Sequence, residues 1–451
     1  MDVLHTGEKN PRFAPPDRYN LACFLMGMMG MGAMYPWNFF ITAADYFHYS
    51  FRNTTDPAHP TTYQNVFENT LSIVATSCGV FGLIINTILT RYLSFKIRIY
   101  SGFIAITVIF TLTTVLTAVD TDSWQTGFFV VTMLSVFVIN WASSWVNGGI
   151  SGVQGCLPSH FSTAMMVGQA VAGLMASFAS IFSVLSQRNT ADRDMAVKNE
   201  GTGYFGSAVA ASLLCTVGFA VFTRLPIVNY YLESLLTVRK IRETIDTTTT
   251  STDYTKVVEE TTTVTVDSSS EKFQFGLVIR RIWSHALVLM LTYGTTLAVF
   301  PAVASAVRSR NASDGSLINN DLFLPVACFL IVNAADFAGR LSHGFLLLPT
   351  PQQGSISLGI TILRMGMIPM FLFCNALPRE HLPVVFGDAV YVILLAVFIF
   401  TNGYFGNLGM MYGPKLVPPQ FAETTGSIMA LSLNTGLLLG SAFSFVLVYV
   451  L

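Results

Sequence analysis

Two residues of opposite charge stand four apart inside an apolar run, in Asn333-Ala-Ala-Asp336-Phe-Ala-Gly339-Arg340. A helix brings side chains at i and i+4 onto one face, and Asn333 falls on the same side. Ions are scarce in segments that cross a bilayer, because each costs several kcal/mol unless it is paired or hydrated. A polar stripe of this kind must look onto protein or onto a water-filled path. A guanidinium already paired with a carboxylate keeps donors for a substrate hydroxyl. The same two residues also read as a structural ion pair that fixes helix packing, and the two roles are compatible.

Other polar residues are spaced to share a face. Asn140, Ser144, Asn147, Ser151 and Gln154 recur at intervals of four and three, one narrow stripe that either joins helices or lines a cavity. Gln169 stands beside a ladder of small residues, Gly168, Ala172, Ala176 and Ser180. Its amide both donates and accepts, the complement of a nucleobase edge. Met34, Trp37 and Ile41 line one helical face around Pro36, which removes a backbone donor and predicts a kink or break. That face is either an interfacial aromatic anchor or a wall that stacks a flat substrate. Arg364 has no local acid, so it either snorkels to a helix end or pairs with a neighbouring span. Ser432, Gly436, Gly440 and Ser444 form a second small-residue ladder, and Asn402 heads a glycine series at 403, 406, 409 and 413. Both read as close helix packing.

These residues have to be held by membrane helices. The chain of 451 residues is 52% hydrophobic and 11% charged, where a soluble domain carries about 25% charge. The expected fold is an all-α polytopic membrane protein. Apolar runs of spanning length fall at 20–44, 66–91, 97–119, 126–152, 161–186, 203–225, 281–306, 320–347, 356–377, 384–412 and 423–450, eleven in all. The hydrophilic stretch 230–275, with its Thr and Ser tracts, has too few apolar residues for a core and reads as a flexible cytoplasmic loop. It divides the chain into a tail (1–19), a six-helix bundle (20–229) and a five-helix bundle (276–451).

Arg12, Arg18, Arg91, Lys96, Arg98, Arg239, Lys240, Arg242, Arg280, Arg281 and Lys415 all fall on one side if the N-terminus is cytoplasmic. Arg308 and Arg310 break the rule. The C-terminus is then extracellular, and the sequons at Asn53 and Asn311 lie on the outer face as glycosylation sites. Net charge −1 gives no reason to expect nucleic acid. The six cysteines have no metal spacing and read as small buried hydrophobes. No Walker loop, HExxH, CxxC or GxSxG is present, so ATP-driven transport, metal sites and enzyme chemistry find no support, and no cofactor or catalytic residue is expected.

Several segments resemble the equilibrative nucleoside transporter family. They are Asp17-Arg18-Tyr19 with Gly30 to Ala43 around Pro36-Trp37-Asn38; Val167 to Gly173 around Gly168-Gln169; Asn333 to Arg340; and Gly413-Pro414-Lys415 with Ala422 to Ala430. They occur in family order across nearly the whole chain. The resemblance implies an eleven-span fold in a major-facilitator-like 6+5 arrangement, working by alternating access. It implies a midplane site in which Trp37 and Met34 wall the cavity and Gln169 meets the base. Asp336 and Arg340 would meet the ribose hydroxyls, Asn333 would support them, and Leu437 would add apolar contact. Tyr35 replaces the family's common Leu, and Thr76 and Gly79 stand where some members carry larger apolar residues.

Facilitative transport of purine and pyrimidine nucleosides, such as adenosine and uridine, across the plasma membrane is the leading expectation. A proton-coupled nucleoside or nucleobase carrier, or an organic-cation carrier, is the alternative. A receptor or scaffold signalling through 230–275 is the remote one.

Overall fold

Apart from a single bridge between Val307 and Ala376, the described chain has only helices and connecting loops. The computed structural model describes residues 14–53, 61–90, 92–119, 121–187, 193–233, 268–300, 302–311, 316, 318–320, 322–377, 381–418 and 421–451. Arg12, Arg91, Asp120, Arg239, Lys240, Arg242 and the middle of the expected loop, 234–267, lie outside them.

The helices are α1 (Leu21–Thr42), α2 (Ala44–Ser50), α3 (Thr62–Leu89), α4 (Phe95–Thr117), α5 (Gln125–Cys156), α6 (Ser159–Gln187), α7 (Arg193–Phe222) and α8 (226–233). They continue with α9 (Ser268–Val299), α10 (Ile331–Leu341), α11 (Gly354–Met365), α12 (Ile368–Leu372), α13 (Asp388–Tyr412) and α14 (Ala422–Val450). Each expected span finds its helix. Among the described residues nine segments are long and apolar enough to cross a membrane, and Ile73–Leu89 is a shorter apolar stretch.

Four details depart from simple spans. Pro36 does not end α1, which runs on to Thr42; the Ala33 carbonyl, one turn earlier, accepts a hydrogen bond from Ser143 Oγ at 2.7 Å. The break comes at Ala43, before α2. α9 starts within the expected loop and stops short of Pro301, which disfavours helix in the residue before it. The span containing Asp336 opens as a π-helix, Phe323–Leu330, before tightening into α10. The ninth span is two helices, α11 and α12, divided at Gly366-Met367 with Pro369 just beyond.

Apolar side chains point outward along the helices, among them Ile97, Ile104, Val108 and Val115 on α4 and Phe443, Phe445 and Val446 on α14. Backbone groups bond within the helices, the only open arrangement lipid tolerates. One apolar cluster fills the first half, from Ala22 to Leu232. A second, smaller cluster joins the halves, with Leu83 and Met166 from the first and Tyr293, Met410, Met429 and Leu433 from the second. The small-residue ladders do what their spacing predicts: Gly168 meets the Gly27 backbone, and Gly436 and Gly440 meet Met290 and Gly294.

After α10 the chain turns at Ser342–Gly344 and runs out as a strap. Phe345 is 90% exposed, and Leu346, Leu347 and Leu348 are exposed as well. The strap's carbonyls turn inward. The Tyr404 hydroxyl reaches those of Leu348 and Leu346, and Tyr412 donates to Leu347 O at 3.3 Å.

Candidate functional site

The site is assembled where α10 crosses α13. A Cβ on Gly403 would press on the Asp336 carbonyl, and one on Gly339 would press on the Phe400 carbonyl. Only glycine allows this approach. It brings Asn402 Nδ2 within 2.8 Å of Asp336 Oδ1. On its own helix, Arg340 Nε donates to Asp336 Oδ2 at 2.7 Å, so the i, i+4 pair is formed.

Arg340 then reaches into the other half. Its Nη1 donates to Met166 O at 2.8 Å and to Gln169 Oε1 at 3.1 Å, both on α6. Nη2 lies 3.4 Å from the Tyr293 hydroxyl, and Gln169 Nε2 lies 3.4 Å from Asn147 Oδ1 on α5. These last two are the loosest links, since good N–H···O bonds run to about 3.2 Å. A ligand carrying hydroxyls and amide-like groups could take them over at least cost. The group is closed to solvent, with Arg340 6% and Gln169 8% exposed. A buried guanidinium shared by a carboxylate, an amide and a carbonyl is held by charge-assisted bonds, about twice as strong as neutral ones.

The structure thus brings Gln169, Asp336 and Arg340 together. Asn333 takes a different partner set: its Nδ2 donates to Ser177 Oγ at 2.8 Å and to Phe329 O at 3.0 Å. It joins α10 to α6 one turn away from the ion pair, with the π-helix supplying the carbonyl. Trp37 and Met34 are half-buried against the first half's core, and Leu437 against the cluster between the halves. In the α5 stripe Asn147 meets Gln169, whereas Ser144 bonds Gly79 O at 3.2 Å. Asn53 is half-buried and Asn311 exposed, each in a loop between helices. Thr54, Thr55 and Ser313 of the two sequons lie outside the described residues.

Tyr293, Thr296 and Thr401 belong to the site's surroundings and went unread in the sequence. The available signal was Tyr293 and Thr296 at i, i+3 in an apolar helix. An ion pair across the halves was also missed. Arg98 of α4, wholly buried, pairs with Glu423 at the start of α14 and donates to Asn86 Oδ1 at 2.9 Å. Nearby, Ser427 Oγ donates to Gly148 O at 3.2 Å, and Gly426 lies on the Ser151 carbonyl. No group of three His, Cys, Asp or Glu among the described residues could hold a metal ion.

Among the described residues, nine segments long and apolar enough to cross a membrane, with a buried polar cluster between them, define a polytopic membrane protein. The fold resembles that of solved transporters of the major facilitator superfamily. A proton:xylose symporter, XylE, bound to 6-bromo-6-deoxy-D-glucose, superimposes with a TM-score of 0.58 at 11% identity, covering 93% of this chain and 87% of that one. The transporter FucP in the outward conformation gives 0.50 at 13% identity, covering 96% and 97%.

A family profile described as nucleoside transporter matches residues 133–449, and the chain belongs to that family. Human equilibrative nucleoside transporter 1 is 31% identical, covering 96% of this chain and 97% of its own. Rat equilibrative nucleoside transporters 3 and 2 are 27% and 29% identical, with 95% and 96% of this chain covered and 89% and 98% of theirs.

Proposed function

We propose that the chain is a facilitative carrier of purine and pyrimidine nucleosides that works by alternating access. The observation that carries this reading is Arg340, held by Asp336 within one half and by Gln169 and Met166 O in the other. A nucleoside offers the matching chemistry, a sugar diol for the carboxylate and guanidinium and a base edge for the amide. When it binds, it competes for the bonds that tie the halves together, which couples occupancy to movement.

Apart from the bonds of Ser177 with Asn333 and Phe329 O, the cross-half bonds cluster toward one end. Arg98–Glu423, Ser427–Gly148 and the contacts of Thr163, Met166 and Gln169 lie in the first turns of α4, α14 and α6 or near the end of α5. We read this end as cytoplasmic and the arrangement as closed to the cytoplasm. The charge distribution in the loops supports that reading, with the C-terminus extracellular and Asn53 and Asn311 outside as glycan acceptors. The two bundles (20–229 and 276–451), the loop between them and the plasma membrane as the location belong to the same proposal. So do the lesser roles: Trp37, Met34 and Leu437 as apolar walls and Asn333 as a support.

The test is exchange of radiolabelled adenosine and uridine in proteoliposomes holding the purified protein, at equal pH on both sides. Saturable exchange is expected. Arg340→Lys keeps the charge but loses the planar fork, so flux per molecule should fall about tenfold or more. Accumulation that requires a pH gradient would overturn the facilitative mode. Undiminished flux in Arg340→Lys would overturn the contact.

A further inference from the structure

Arg364 is buried inside the second half, and among the described residues its hydrogen bonds go to carbonyls and hydroxyls and to no acid. It neither snorkels nor meets an acid directly. Its guanidinium stacks on the Phe398 ring, 4.0 Å from the centroid. It donates to the carbonyls of Thr292 (2.9 Å) and Phe398 (2.9 Å) and to the hydroxyls of Thr401 (3.0 Å) and Thr296 (2.5 Å). A lone cation in a low-dielectric interior is costly, and neutral acceptors offset only part of that cost. A charge kept under those terms calls for a role.

The direction of the hydrogen bonds supplies one. Asp336 accepts only, so the Asn402 amide must turn its Nδ2 toward Oδ1, at 2.8 Å. Asn402 Oδ1 then faces Thr296 Oγ1, also at 2.8 Å. Thr296 has one hydroxyl proton and two acceptors in range, Asn402 Oδ1 and Thr292 O. Asn402 Oδ1 can only accept, so its 2.8 Å contact with Oγ1 requires the Thr296 proton, while Oγ1 and Thr292 O both take donors from Arg364. Every donor in the series points the same way.

We propose that Arg364 is a positioning residue for substrate recognition, holding Asp336 through a one-way chain of donors from Arg364 to Thr296 to Asn402 to the carboxylate. Asp336 is thereby served by two cations. Arg340 takes Oδ2 directly, and Arg364 serves Oδ1 through two neutral side chains, each polarising the next. The chain runs through α11, α9, α13 and α10, all in the second half. Asp336 therefore keeps its orientation even when a ligand draws Arg340 away. This rests on the reading of Asp336 as the sugar contact.

Replacing Arg364 itself would leave its acceptors on α9 and α13 without a donor and disturb the bundle, so the test cuts the chain at its middle. Thr296→Val has nearly the same shape but no hydroxyl, and Thr296→Ser restores the donor. In proteoliposomes, Thr296→Val should raise KM for uridine about threefold to tenfold, the loss of one aligned bond. KM for a 2′,3′-dideoxynucleoside should hold, and Thr296→Ser should return the uridine value toward wild type. A merely structural role would lower maximal flux for both substrates and leave their KM ratio alone, and that result would overturn the proposal. Asp336→Asn separates the two possible failures. If it shifts the ratio while Thr296→Val does not, the donor chain is wrong. If neither shifts it, the sugar contact is wrong and the positioning role falls with it.

Discussion

At the scale of single residues, the Asp336–Arg340 pair is legible because its partners lie on one helix, four apart, where spacing alone dictates contact. Gln169 and Asn402 were visible only as isolated amides. Their meeting with that pair depends on how three helices cross, which no local pattern encodes. The energetic weight of the pair can be measured directly. Asp336→Ala leaves Arg340 buried without its counter-charge and should destabilise the protein by about 3–5 kcal/mol. Adding Arg340→Met removes the orphaned cation and should recover a good part of that loss. Thermal unfolding of the two single variants and the double variant in detergent gives the coupling, and strictly additive effects would mean that the two side chains do not depend on each other.

Among the elements, helix number and order were readable from the apolar runs, and both small-residue ladders from their period of four. The π-helix at Phe323–Leu330 was not, because its apolar composition looks the same whether a turn holds four residues or slightly more. The split of the ninth span had a signal in Gly366 and Pro369, which a hydropathy reading averages away. The α10–α13 crossing carries its own prediction. Gly339→Ala places a methyl group against the Phe400 carbonyl and should cost about 1–3 kcal/mol, the usual range for overpacking. Gly359→Ala meets nothing within 4 Å on α11 and should stabilise by up to about 1 kcal/mol through helix propensity. Melting temperatures of the two variants should move in opposite directions; a shared sign would show that the crossing is looser than described.

For the whole molecule, the proposed closure at one end leans on Arg98 and Glu423, 325 positions apart in sequence and therefore invisible to any reading of spacing. The two residues drew notice only singly, as a loop charge and a motif glutamate. Glu423→Gln weakens the tie and should raise the rate at which a membrane-impermeant maleimide modifies Cys156, half-buried at the end of α5. Arg98→Glu with Glu423→Arg should restore a slow rate that Arg98→Glu alone loses; equal rates in all forms would remove the pair from the gate. The strap after α10 bears on the surroundings rather than on the gate. Phe323–Leu341 covers 19 residues, within the range of about 17–25 that crosses the hydrocarbon. Phe345 to Leu348 follow with exposed side chains, and the carbonyls of Leu346, Leu347 and Leu348 are held by Tyr404 and Tyr412 of α13. Four exposed apolar side chains thus hang from the helix that holds Asp336, so flux in proteoliposomes is expected to vary with acyl-chain length; equal flux at every bilayer thickness would leave the strap a passive anchor.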